Sequence, residues 1–142
     1  MPMNATTTKK ADGKGDCFEA AARLLLGLEV PEGCTAEVVH GIVTGSEGTG
    51  VAGVRFTHAW VEVALANALG QVVLDRSNGR KITLPAAFYY ELGRIRAEET
   101  VRYAKDELKA CLLRYEHFGP WDGAPGAHVD PEVPEVRRRC AP

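Results

Sequence analysis

The apolar and polar positions of this chain change period several times, and each change marks an element. Across residues 17–28, alanines and leucines cover more than one side of a helical wheel. That spacing predicts a helix buried on several sides, with Leu24, Leu25 and Leu26 in the core. Gly27 and the Pro31-Glu32-Gly33 segment end it. Residues 36–44 are rich in β-branched side chains and read as a strand. In residues 54–65, Ala59, Val61, Val63 and Leu65 alternate with His58, Trp60 and Glu62, the clearest strand pattern in the chain. A turn around Asn67 leads to residues 70–75, the returning strand of a hairpin. Residues 82–84 are short and extended, and Pro85 opens a helix over 86–92 that Gly93 stops. A strand around residues 100–103 precedes an amphipathic helix at 105–114, with Leu108, Cys111 and Leu112 at core spacing. His117, Phe118 and Trp121 form an aromatic turn expected to pack back on the core.

These elements predict an α+β domain over residues 15–122, in which a buried N-terminal helix packs on an antiparallel sheet. Residues 1–14 read as a flexible leader and residues 123–142 as a Pro-, Gly- and Arg-rich tail. The glycine-dense loop at 45–50 suits the rim of a cleft. It is not a phosphate loop, because no Gly-Lys-Ser/Thr follows and no helix begins there. No internal repeat is visible.

Composition narrows the function classes. The net charge of -2 gives no basic field for nucleic acid. No apolar run approaches the roughly 20 residues of a membrane span, and the N-terminus lacks the apolar core of a secretory signal. A cytoplasmic setting follows as the expectation, and with it free thiols or ligands rather than disulfides at all four cysteines, 17, 34, 111 and 140. These contain no Cys-x-x-Cys pair, and His117, His128 and Cys140 match no zinc spacing. No metal and no cofactor are therefore expected. Arg137-Arg138-Arg139 reads as a solvated run.

The candidate chemistry gathers at three residues. Asp16 stands at an N-cap, and Glu19 three residues on has the capping-box spacing. That places Cys17 in a first helical turn, where free N–H groups and the helix dipole favour a thiolate. If the hairpin turn centres between Ala66 and Asn67, Val61 faces Val72 and Ala59 faces Leu74. The same register sets His58 opposite Asp75, within hydrogen-bond reach. A thiol nucleophile needs a base for its proton, and the base needs a partner to hold its tautomer. Cys17, His58 and Asp75 supply these in order. The same three residue types also suit a zinc site. Among their neighbours, Trp60 is expected beneath the Cys17 helix, Glu62 on the surface and His40 in the core or at an edge.

Three segments, Gly15-Asp16-Cys17-Phe18-Glu19-Ala20, His58-Ala59-Trp60-Val61-Glu62-Val63 and Val72-Val73-Leu74-Asp75, resemble the transglutaminase-like branch of the papain-like cysteine enzymes. The resemblance covers about residues 13–78. It implies a papain/transglutaminase-like core, with Cys17 as nucleophile, His58 as general base and acid, and Asp75 as the orienting carboxylate. It implies a thioester intermediate resolved by water or an amine, in a peptidase, amide hydrolase, deamidase, transglutaminase or acyltransferase acting on a peptide or protein. The side-chain oxyanion donor of papain-like proteases has no counterpart, since Ala11 and Lys14 stand in that region. The alternative is a catalytically inactive papain-like domain that binds a peptide or partner protein.

Overall fold

The computed structural model describes residues 16–45, 52–66 and 70–121. The leader at 1–14, the tail at 123–142 and all but the first residue of the loop at 45–50 lie outside the described residues.

Helix α1, Asp16–Gly27, is built from alanine and leucine, which lose little side-chain freedom in a helix. Cys17, Phe18, Ala21, Ala22 and Leu25 form its buried stripe. The helix is thus one-sided: Leu25 is core, while Leu24 is half-buried and Leu26 exposed. Asp16 is the first residue of the helix, and both it and Glu19 are hydrogen-bonded. Asp16 Oδ2 accepts from the Asn78 backbone N–H at 3.1 Å, and Glu19 pairs with Arg23 at 2.8 Å.

Five strands follow: β1 (Thr35–Thr44), β2 (Arg55–Ala64), β3 (Gln71–Asp75), β4 (Ile82–Pro85) and β5 (Thr100–Ala104). They form one antiparallel sheet in the order β4-β3-β2-β1-β5. Two more helices lie among the described residues, α2 (Ala86–Gly93) and α3 (Lys105–Tyr115). Helix ends are closed by residues in the left-handed region, Arg94 after α2 and Glu116 after α3.

Both faces of the sheet are covered. On one face, Val38, Ala59, Val61, Val101 and Tyr103 pack against α1 and α3 through Phe18, Leu25 and Leu108. On the other, Val39, Val43, Trp60, Val73 and Ile95 pack beneath α2. Trp60 therefore lies beneath α2 rather than beneath the Cys17 helix. The aromatic turn does fold back: Trp121 is buried against Tyr103 and Tyr115, and its Nε1 donates to the His117 carbonyl at 3.0 Å. Among the described residues no helix is long and apolar enough to cross a membrane. Cys17 and Cys34 are free thiols, whereas Cys111 is disulfide-bonded, which corrects the expectation that none of the cysteines is in a disulfide.

Gly41 is the tightest point of the second face. It pairs with His58 across β1 and β2. A Cβ at Gly41 would come within 2.8 Å of Trp60 Cη2 and 3.0 Å of Thr100 Cγ2. Neither neighbour has room to retreat, because Trp60 is fully buried under α2. Gly41→Ala is expected to lower stability by about 1–3 kcal/mol through overpacking. Chemical denaturation would measure the loss.

Candidate active site

The site forms where β3 leaves β2. Their pairing runs from Ala64↔Gln71 to Val61↔Leu74 and stops there. Asp75 continues along β4, opposite Ile82, and the chain then turns through a short 3-10 segment, Ser77–Gly79. The N-terminus of α1 reaches this turn through the Asp16–Asn78 hydrogen bond. Cys17, in the first turn of α1, thereby meets His58 from β2, which in turn meets Asp75 from β3.

The register differs from the expected one by two residues. Val61 faces Leu74 rather than Val72, because the β2–β3 connection is longer than assumed and closes through Leu65 N–H to the Gly70 carbonyl. A two-residue shift keeps every side chain on its face, since the pleat repeats every two residues. His58 and Asp75 are therefore diagonal neighbours rather than directly opposed. A histidine and an aspartate span that diagonal, and Nε2 of His58 lies 2.9 Å from Asp75 Oδ2. With Nε2 so engaged, Nδ1 is the nitrogen left for the sulfur, and a side-chain hydrogen bond joins His58 to Cys17.

Asp75 is buried and fully supplied with donors. Oδ1 accepts from Ser77 N at 3.0 Å and Ser77 Oγ at 2.7 Å. Oδ2 accepts from the Tyr89 hydroxyl at 2.6 Å and takes part in the His58 bond. Burial alone would raise the pKa of this carboxyl. The hydrogen bond and charge of His58, followed by Tyr89 and the Ser77 backbone, reverse that and hold it well below the usual carboxylate range. The mirror image holds at His58. Burial alone would lower its pKa, but hydrogen bonds and charges from Asp75 and Cys17 raise it to about 9. The imidazolium is thus the favoured form at neutral pH, with a carboxylate on one nitrogen and the sulfur on the other.

A second buried carboxylate lies on the same face of β2. Glu62 is only 3% exposed, which overturns its expected place on the surface. It accepts from Trp60 Nε1 at 3.0 Å, from Arg102 Nη1 at 2.9 Å and from the Tyr90 hydroxyl. The covering of both sheet faces explains the miss, because the alternate positions of β2 point into a second core. Tyr89 and Tyr90 were not singled out by pattern. Tyrosines on a short helix with no buried residue carry no signal of which polar group they meet.

His40 lies on the opposite face of the sheet from His58 and does not join the site. Its ring packs against Phe18 at 4.8 Å, Tyr103 at 5.0 Å and Trp121 at 5.2 Å. Neither ring nitrogen has a hydrogen-bond partner among the described residues, and burial lowers its pKa to about 3. It is a neutral core histidine. Among the described residues no three His, Cys, Asp or Glu side chains are grouped to hold a metal ion. The direct 2.9 Å contact between His58 and Asp75 leaves no space for an ion between them. Comparison of the chain with protein-family models, with curated proteins and with solved structures finds no match.

Proposed function

We propose that this chain is a cysteine-dependent acyl-transfer enzyme with a papain/transglutaminase-like core. The observation that carries the reading is the continuous hydrogen-bonded series Cys17–His58–Asp75 at the start of a helix. In this scheme the Cys17 thiolate attacks the carbonyl carbon of an amide or ester. The carbonyl π pair moves to oxygen, where the backbone N–H of Cys17, in the first turn of α1, is a donor. The intermediate collapses as the imidazolium of His58 gives its proton to the departing amine or alcohol, leaving a thioester. Water or an amine then attacks the thioester carbon while His58 takes back a proton, and the C–S bond breaks to restore the thiolate. Asp75 keeps Nε2 protonated, so that Nδ1 works at the sulfur. A peptide or protein is the expected substrate class, and the scheme needs no cofactor.

One observation favours a second reading, a catalytically inactive domain that binds a peptide or partner. Cys17 is 5% and His58 8% exposed, so the sulfur is nearly closed to solvent. Alkylation of the full chain with iodoacetamide, mapped by mass spectrometry from pH 5 to 10, separates the two. The enzyme reading expects Cys17 to react faster than Cys34 and to keep its rate at pH values where free cysteine, titrating near about 8.5, slows. An inert Cys17 leaves the binding domain.

A further inference from the structure

We infer that Tyr89 is a positioning residue that sets how strongly Asp75 holds the His58 imidazolium. The inference rests on the thiol-enzyme reading of the site. Oδ2 of Asp75 serves two donors, the Tyr89 hydroxyl at 2.6 Å and His58 Nε2 at 2.9 Å. Oδ1 is already occupied by the two donors of Ser77. Charge that the phenol draws from Oδ2 is not available to the imidazolium. Burial, and then the charge of Asp75, raise the pKa of Tyr89 above its ordinary value, so it remains a donor over the working range.

The groups facing the carboxylate come from every element packed around it. His58 stands on β2, Ser77 in the turn and Tyr89 on α2. Cys17 on α1 and Arg80 beyond the turn also act on Tyr89 through their charge. Among the described residues only the Tyr89 phenol shares an oxygen with His58. A general acid works best when its pKa lies near the working pH, and His58 is already held up at about 9. Tyr89 checks that rise and so eases delivery of the proton to the leaving group. The neighbouring Tyr90 offers an internal control. It makes the same kind of bond from the same helix, but to Glu62. Losing either hydroxyl loosens α2; losing Tyr89 alone changes Asp75.

The test compares Tyr89→Phe with Tyr90→Phe. The phenylalanine ring keeps the packing of Tyr89 on Trp60, whose centroids are 5.3 Å apart. The His58 imidazole is titrated by NMR, and turnover is compared between an amide and an activated ester of the same acyl group. In Tyr89→Phe the imidazole titration is expected to move up by about one unit, and amide turnover to fall more than ester turnover. In Tyr90→Phe neither readout should move. Site-specific 3-fluorotyrosine at position 89, a stronger donor of the same shape, should move the titration down. An unmoved titration at position 89, or an equal shift in Tyr90→Phe, overturns the inference while Cys17 still alkylates rapidly. An inert Cys17 in the native protein overturns the enzyme reading, and the positioning role with it.

Discussion

Replacing His58 with alanine is expected to reduce acyl transfer from an activated ester by about 10²–10⁴-fold, the range of a positioned proton-transfer group. Alkylation of Cys17 should lose its retained rate at low pH in the same variant. The reason is the geometry on both nitrogens. The bond to Cys17 and the 2.9 Å contact with Asp75 stabilise a protonated ring beside the sulfur. Without the ring, the sulfur has no neighbouring cation and the leaving group no acid. The variant also leaves the Asp75 carboxylate buried without its partner, which is costly. His58→Gln separates the two effects, since its amide N–H groups can still reach Asp75 while it has no titrating proton. Both variants should lose activity, and His58→Gln should retain more stability. Full activity in a folded His58→Gln would remove His58 from the mechanism.

The parts legible from sequence were those that period and parity determine. The β-branched run of β1, the alternation of β2 and the helix-period stripe of α1 each placed an element within a residue or two of its observed bounds. The pairing of His58 with Asp75 was read from register, and the register was off by two residues. The residues still met, because an even shift preserves the face and the diagonal is short enough for these side chains. Other features had no local signature. That Glu62 is buried depends on α2 covering the second face of the sheet, a fact set some 25 residues away in sequence. Trp60 and Val73 share the face of Glu62, and their apolar character was the available sign that this face is also a core. The four donors on Asp75 come from three different segments, and no spacing rule links Tyr89 to an aspartate on a neighbouring strand.

Asp75→Asn is expected to lower folding stability by about 3 kcal/mol near pH 6, with a smaller difference above pH 9. The carboxylate offers both oxygens as acceptors to Ser77 N, Ser77 Oγ, Tyr89 and His58. An amide has one acceptor oxygen and one NH₂ group. If its oxygen faces Ser77, the NH₂ meets Tyr89 and His58; if it faces those two, the NH₂ meets the Ser77 N–H. Either orientation leaves a buried donor opposed by another donor. The pH dependence follows from the pKa shifts. His58 is raised in the fold from 6.5 to about 9. Its contribution is therefore complete below the unfolded value and is lost as pH rises through 9. Asp75 is depressed, so its contribution is present above its unfolded value near about 3.9 and is lost as pH falls below it. The native protein should be helped most by the pair between these limits. As the imidazole becomes neutral above pH 9 the charge attraction is lost, and only the hydrogen bonds from Ser77, Tyr89 and the remaining Nε2–H of His58 still separate it from the variant. Chemical denaturation of both proteins at pH 6 and pH 9.5 measures this directly. A stability difference that stays constant or widens with pH would mean that His58 is not held as an imidazolium by Asp75. The Cys17–His58–Asp75 series would then lack the charge separation that acyl transfer requires of it.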